Sequence, residues 1–159
     1  NFLHRSWSPL EPFDESVIRN IKKSGVYTHM VTDHFHYLEI GGYGYLNEYD
    51  SFEIIRGQQG DLWKPFVGEL NYPENLSRRA HTNNFDHDWI NRQHMQKEED
   101  LPAYRTFAKG IDFIERFHNQ ENWFLTIESF SPHEPFYTVD KYLNLYEDDY
   151  RVTPKSWTT

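Results

Sequence analysis

The sequence predicts an α/β fold with mostly parallel strands, flanking helices and one long irregular insert, for three reasons. A helix-forming segment is followed by a glycine and then by a β-prone segment, which is half of an α/β unit. A second helix–strand pair ends in a near-continuous apolar strand, of the kind that is buried in parallel sheets. Between the two pairs, residues 37–99 are rich in Gly, Pro, Asn and Asp and lack sustained periodicity.

The first pair begins at Asp14, which we expect to cap the helix at its N-terminus. Lys22 and Lys23 suit the last turn of this helix, and Gly25 suits a left-handed stop. The strand is then expected over residues 26–32.

The second pair comprises a helix over about residues 101–118 and a strand over residues 123–128. Shorter helices are expected within residues 86–96, around Trp89, Ile90 and Met95, and near residues 139–146. The long helix carries one apolar stripe at spacings of three and four, formed by Leu101, Tyr104, Phe107, Ala108, Ile111, Ile114 and Phe117.

Composition limits the partners. The formal net charge of −9 argues against nucleic acid or an anionic membrane, because either requires a basic face. No apolar run approaches the roughly 18 residues that span a bilayer. The aromatic content of 18% fits either an aromatic-rich core or platforms that stack on sugars.

The chain has no cysteine, which excludes a disulfide, a thiolate zinc site and a Cys nucleophile within these residues. This suits a reducing compartment and also many exported bacterial proteins, so localisation stays open. Because Asn1 is not an initiator Met and no leader follows, we expect an internal piece of a longer protein.

Both predicted strands end in polar residues. The first leads into Thr32, Asp33, His34 and His36, and the second leads towards His133. Ligands bind at the carboxyl ends of strands in open α/β sheets. If the two strands are parallel neighbours, the three histidines are expected to converge on one rim.

Three roles are open for His34 and His36, which alternate with one residue between them: metal binding, contact with an anionic or polar substrate, or structural hydrogen bonds. His133 lies between Pro132 and Pro135, which stiffen its loop and suit a fixed proton donor or anion contact. The alternative for His133 is a solvated turn.

Arg56 precedes a turn that contains Gly57 and Gly60. Its guanidinium is a planar fork that matches a carboxylate, sulfate or phosphate group. The alternative is a surface or ion-paired arginine.

An ordered set of segments resembles the bacterial sulfatase family of the alkaline-phosphatase superfamily, and it spans essentially the whole chain. The segments are Trp7-Ser8-Pro9-Leu10-Glu11-Pro12-Phe13-Asp14, Gly25-Val26-Tyr27-Thr28, Thr32-Asp33-His34-Phe35-His36-Tyr37, Phe52-Glu53, Arg56-Gly57-Gln58 with Asp61, Arg105-Thr106-Phe107, Phe113-Ile114, Trp123-Phe124-Leu125 and Pro132-His133-Glu134-Pro135-Phe136.

The resemblance implies a partial sulfatase fold in which His133 is the histidine that contacts the sulfate or the bridging oxygen. His34 and His36 lie near the family's Gly-Lys-Trp-His motif as further catalytic candidates, although the Lys is absent here and the alignment needs a one-residue shift. Arg56 is assigned to substrate binding, and Thr32 and Asp33 are further substrate-binding candidates at the strand end.

The family nucleophile is a formylglycine made within a Cys/Ser-x-Pro-x-Arg motif, and its hydrate attacks sulfur at a divalent metal, usually calcium-type. No such motif occurs in this sequence. The nucleophile is therefore expected upstream of these residues, the metal ligands are expected on both sides of them, and the isolated chain is expected to be inactive. The expected partner is a small-molecule or carbohydrate sulfate ester, and exposed strand edges predict self-association of the isolated chain.

Two rival functions remain. One is a phosphonate monoester or phosphodiester hydrolase of the same superfamily. The other is a non-catalytic module in which the aromatic insert binds a glycan.

Overall fold

A computed structural model describes residues 8–72, 83–133 and 136–145. The chain folds into two compact units. The sheet unit comprises residues 1–55 and 106–129, and the insert unit comprises residues 56–105 and 130–159.

The sheet unit contains three parallel strands, β1 (Tyr27–Thr32), β2 (Ser51–Ile54) and β3 (Trp123–Glu128), in the order β2-β1-β3. β1 is paired along its whole length with β3, from Tyr27 opposite Trp123 to Thr32 opposite Glu128. The two predicted strands are therefore parallel neighbours, and the α/β class is shown.

β2 was not expected from the sequence, which suggested only an irregular insert there. The strand has four residues, and it pairs with β1 in the register His29 to Ser51. A segment this short carries too little alternation to be distinguished from a loop. Pairing with the buried strand β1, rather than a local pattern, makes these residues extended.

Helix α1 (Val17–Lys23) precedes β1, and its cap differs from the prediction. Ser16 is the N-cap, and its Oγ accepts a hydrogen bond from the Arg19 backbone nitrogen at 3.3 Å. Asp14 instead closes its own turn, because its Oδ2 accepts from the Glu11 backbone nitrogen at 2.9 Å. The predicted stop at Gly25 is confirmed by its φ of +82°.

The helix expected over residues 101–118 is confirmed as Pro102–Phe117. Its buried side, however, is formed by Thr106, Gly110 and Phe113 rather than by the predicted apolar stripe. Two residues of that stripe, Phe107 and Ile111, are 52% and 53% exposed. Small residues let the helix approach the sheet closely, so apolar character alone indicated the wrong side.

The close approach depends on Gly110, because a Cβ added there would overlap the side chain of Ile127 on β3. We expect Gly110→Ala to lower the free energy of unfolding by about 1–3 kcal/mol, the usual cost of overpacking. Chemical denaturation followed by circular dichroism measures this. An added Ile127→Ala should reduce the effect of Gly110→Ala, because it removes the side chain that the new methyl group meets. If Gly110→Ala is more stable, as helix propensity alone predicts, the close contact is wrong.

The strand β3 has one neighbour among the described strands, and its residues are half-buried or exposed. Phe124, for example, is 37% exposed. The expected parallel pairing is confirmed, but β3 is not buried on both faces, whereas Thr28–Thr32 of β1 are all buried. The helix Pro102–Phe117 covers one face of β3 at Gly110. The outer edge of β3 has no neighbouring strand among the described residues.

The insert unit contains the helices Asn83–Arg92 and Asp140–Leu143, and the long helix begins within it. We number the helices after α1 in chain order as α2 (Asn83–Arg92), α3 (Pro102–Phe117) and α4 (Asp140–Leu143). α2 starts and ends earlier than the predicted range of 86–96, so Met95 lies beyond it, although Met95 is buried. α4 confirms the helix expected near 139–146, whose last residue lies outside the described residues.

No helix within the described part of the chain has the length and apolar character needed to cross a membrane.

Candidate functional site

The two polar strand ends meet at the carboxyl edge of the sheet. His34 Nδ1 lies 2.7 Å from Glu128 Oε1, and the Tyr37 hydroxyl donates to Glu128 Oε2 at 2.9 Å. This contact follows from the sheet topology, because Glu128 ends β3 opposite Thr32, the last residue of β1. After β1, the chain turns into a short 3-10 helix, Phe35–Leu38, which carries Tyr37. Glu128 thus fixes the ring of His34.

Tyr37 keeps its proton and acts as a donor to Glu128. Burial of the phenol raises the pKa of Tyr37 well above its usual value, and the negative charge of Glu128 and the hydrogen bond to it raise it further. The two oxygens of Glu128 therefore have separate partners, a ring nitrogen and a hydroxyl.

Thr32 and Asp33, which were predicted to bind substrate, are both fully buried. The Ser129 hydroxyl donates to Asp33 Oδ2 at 3.0 Å, and Thr32 Oγ1 accepts from the backbone nitrogen of His34 at 3.0 Å. These contacts shape the turn that presents His34. Direct contact of either residue with substrate stays a prediction.

His36 lies beside His34, but in the 3-10 helix Phe35–Leu38 rather than on the extended backbone that the alternation assumed. The two ring centroids are 5.3 Å apart and nearly perpendicular. His36 Nδ1 lies 2.7 Å from Glu39 Oε2, so each histidine has its own carboxylate. Across residues 8–72, 83–133 and 136–145, no three or more His, Asp or Glu side chains are grouped so that they could hold a metal ion. The described residues therefore do not fit the calcium-type site that the resemblance implies, and ligands elsewhere in the protein stay a prediction.

In the insert unit, His133 is exposed but held on two sides. Its ring stacks on Phe130 with centroids 4.4 Å apart and planes 21° apart. Its Nδ1 is in hydrogen-bond contact with Nε2 of Gln59. This contact fixes the ring at Nδ1 and leaves Nε2 facing away from the amide. Pro135, the second proline expected to stiffen this loop, lies outside the described residues.

Arg56 forms an ion pair with Asp61, which was one of its two predicted alternatives. Arg56 Nη2 lies 2.6 Å from Asp61 Oδ1, and Nε lies 2.8 Å from Oδ2. Asp61 is 2% exposed and also accepts from the Gly57 backbone nitrogen at 2.8 Å. Asp61 therefore already binds the guanidinium fork, and a role for Arg56 in substrate binding stays a prediction.

The turn that carries Gln59 is tied to helix α2 by Asn91. The fully buried amide of Asn91 donates from Nδ2 to the carbonyl oxygens of Gln59 and Asp61, at 3.1 and 2.8 Å. Gly57 begins the turn with a φ of +115°, and a Cβ there would lie 2.8 Å from the ring of Trp63. This turn is therefore tightly fixed, and so is the amide that contacts His133.

Sequence reasoning missed Gln59, Asn91 and Asp88, which surround this site. On the helix, Asp88 and Asn91 are three residues apart and so share one face. That face is buried, and a single sequence does not distinguish a buried polar face from a solvated one. The contact of Gln59 with His133 spans 74 residues of sequence and has no local signal.

A cavity of about 290 Å³ opens beside His133 within the insert unit. Its lining includes the Gln58–Gln59 part of the turn, Asp88 of α2 and Tyr137 of the loop before α4. The histidines of the sheet edge belong to the other unit, so their convergence with His133 stays a prediction.

The sheet unit has a cavity of its own, of about 450 Å³, at the amino ends of the strands. His29 lies in it, stacked on Phe113 at 4.9 Å, with Nδ1 2.6 Å from Ser51 Oγ. Burial lowers the pKa of His29, and the negative charge of Glu53 opposes this shift. The neutral ring and its contacts fit a structural role at the edge opposite His34 and Glu128.

No protein-family model, no curated protein and no solved structure matches this chain.

Proposed function

We propose that this chain is part of the catalytic domain of a sulfuric-ester hydrolase of the bacterial sulfatase type. The observation that carries the proposal is the setting of His133, which is exposed and is held by Gln59 at Nδ1 and by the ring of Phe130. A fixed imidazole with a proton to give is what the leaving oxygen of a sulfate ester requires. The ordered resemblance to sulfatases assigns the same histidine to the same oxygen.

In this proposal, His133 acts in its imidazolium form and donates a proton from Nε2 to the bridging oxygen while the bond between sulfur and that oxygen breaks, which leaves a neutral imidazole. Without the proton, the alcohol would leave as an alkoxide, which is a poor leaving group. Gln59 holds the ring at Nδ1, so the donating nitrogen is Nε2, which faces away from the amide. General acid help of this kind contributes about 10²- to 10⁴-fold in rate.

His34 and His36 are proposed to contact the sulfate group. Glu128 accepts a hydrogen bond from Nδ1 of His34 and fixes the orientation of the ring. The carboxyl edge of a parallel sheet is where the sulfate group is expected to bind. Thr32 and Asp33 support the turn from inside.

The proposed reaction also needs a nucleophile and a divalent metal site, and the described residues supply neither. The resemblance assigns both to other parts of the protein. We therefore expect the 159-residue chain alone to release no sulfate.

The test compares hydrolysis of three esters by the full-length protein: 4-nitrophenyl sulfate, 4-nitrophenyl phenylphosphonate and bis(4-nitrophenyl) phosphate. Preferred hydrolysis of the sulfate ester supports the proposal. Preference for either phosphorus ester indicates the rival hydrolase of the same superfamily. Absence of all three activities, together with binding of unsulfated glycans, indicates a binding module and overturns the proposal.

A further inference from the structure

The cavity of about 450 Å³ at the amino ends of the strands contains a ring nitrogen that the fold leaves unused. His29, which lines this cavity, is 7% exposed. Its Nδ1 contacts Ser51, but its Nε2 makes no hydrogen bond within the described residues. Glu53 Oε1 lies 3.9 Å from Nε2, which is too far for a hydrogen bond. Because Nε2 is not fully enclosed either, a small molecule in the cavity can reach it.

Nε2 of His29 and Oε1 of Glu53 form a pair of acceptors for one bound group. Ser51 Oγ contacts both His29 Nδ1, at 2.6 Å, and the Tyr27 hydroxyl, at 2.8 Å. Since a hydroxyl both donates and accepts, Ser51 can take the proton of Nδ1, and Nε2 is then an acceptor. Burial lowers the pKa of His29, although the charge of Glu53 opposes this shift, and a neutral ring does not repel a cation.

The charges around the cavity favour a positively charged ligand. Its lining includes three carboxylates and one guanidinium, which belong to Glu53, Asp112, Glu121 and Arg116. The guanidinium of Arg116 is already paired with Asp112, at 3.0 Å. Lys109 Nζ lies 3.3 Å from Oε2 of Glu53, the oxygen that does not face His29. Even with Lys109 counted, three negative charges stand against two positive ones, so an added cation improves the balance.

The aromatic walls of the cavity suit a flat ring. Phe113 stacks on His29 with centroids 4.9 Å apart, and it contacts Phe117 at 4.9 Å and Trp123 at 5.5 Å. Rings that pack on one another in this way form a wall that exists before a ligand binds. Phe117 and Tyr27 are 41% and 50% exposed, so they have area left to cover. Aromatic faces attract both rings and cations, and the cavity has the size of a small-molecule site.

We propose that this cavity binds a small aromatic primary amine in its ammonium form, with the ammonium group donating to His29 Nε2 and Glu53 Oε1 and the ring packed on the aromatic walls. Two acceptors 3.9 Å apart can both lie about 2.9 Å from one nitrogen. A primary ammonium group has the two N–H donors that this arrangement needs. The proposal does not rest on the proposed function, because the cavity lies at the edge of the sheet opposite His34 and Glu128.

The ligand class is tested by calorimetric titration of the full-length protein with benzylamine, benzyl alcohol and benzyltrimethylammonium. We expect benzylamine to bind about tenfold or more tightly than the other two, the usual effect of a hydrogen bond to a charged group. The alcohol has the ring without the charge, and the quaternary ion has the ring and the charge without N–H donors. Equal binding of benzylamine and benzyltrimethylammonium would mean that the acceptor pair is not used, and the proposal would be wrong.

The position of the site is tested with two variants and a control. Glu53→Gln removes the charge at a side chain that is 43% exposed, so the fold should tolerate it, and benzylamine binding should weaken by about tenfold or more. His29→Phe keeps a flat ring against Phe113 and removes Nε2, so it should also weaken binding. Glu115→Gln, at an exposed carboxylate of the same helix outside the cavity, should have no effect. Absence of benzylamine binding, or equal binding by Glu53→Gln and Glu115→Gln, would overturn the proposal whether or not the protein releases sulfate.

Discussion

Replacement of His133 by Ala in the full-length protein is expected to lower kcat for alkyl sulfate esters by about 10²- to 10⁴-fold, with a much smaller change in KM. The reason is that the Nε2 proton is needed when the bond to the leaving oxygen breaks. Binding of the substrate depends far less on this proton. A loss confined to KM would indicate that His133 binds sulfate without serving as an acid.

The leaving group provides a sharper measurement than one rate. 4-Nitrophenolate leaves readily without a proton, whereas an alkoxide does not, so His133→Ala should affect the aryl ester much less than an alkyl ester. His118→Ala is a matched control, because His118 is exposed after the end of α3 and its Nδ1 contacts only the nearby carbonyl of Glu115. Equal losses on both esters would contradict the acid role, and an unchanged kcat would remove His133 from the chemistry.

Gln59 positions the ring of His133. Its side-chain amide contacts Nδ1 of His133, so Nε2 faces away from it, and its backbone carbonyl is fixed by Asn91. The acid is therefore positioned by a turn that begins at Gly57, far from it in sequence. An acid held in this way is arranged before the substrate arrives, which limits the reorganisation that the reaction requires.

The strands and long helix could be predicted because each has its own local pattern. β1, β3 and α3 were expected within one residue of their ends. β2 was missed because its four residues are held by pairing with β1. The prediction of the buried side of α3 was wrong, because Gly110 and Thr106 make close contact by being small. Hydrophobic periodicity gives such residues little weight.

The residues of the candidate site could likewise be predicted only where they have a local sequence signal. His133 was identified from its own loop, and the His34 cluster followed from the carboxyl ends of neighbouring strands. Glu128 as the partner of His34 depended on the register between β1 and β3, which the sequence did not specify. Asp88 and Asn91 could not be identified from the sequence, because burial, rather than residue type, makes them unusual.

Replacement of Asp61 by Ala should produce the largest loss of stability in the insert unit, about 2–4 kcal/mol. Asp61 is 2% exposed, and its carboxylate accepts from both the Arg56 guanidinium and the Gly57 backbone nitrogen. Loss of one partner of a buried pair usually costs about 3–5 kcal/mol, and we expect less here because the Arg56 side chain is 37% exposed and can regain water.

Urea denaturation followed by tryptophan fluorescence measures this loss, with Asp112→Ala as the control. Asp112 pairs with Arg116 at 3.0 Å, but both side chains are largely exposed, so that change should have little effect. Arg56→Gln should destabilise the chain in the same direction as Asp61→Ala, and the two effects should not add, because both remove one interaction. If Asp61→Ala costs no more than the control, Asp61 does not hold the guanidinium fork. Arg56 would then be available to a sulfate group, as the sequence alone had allowed.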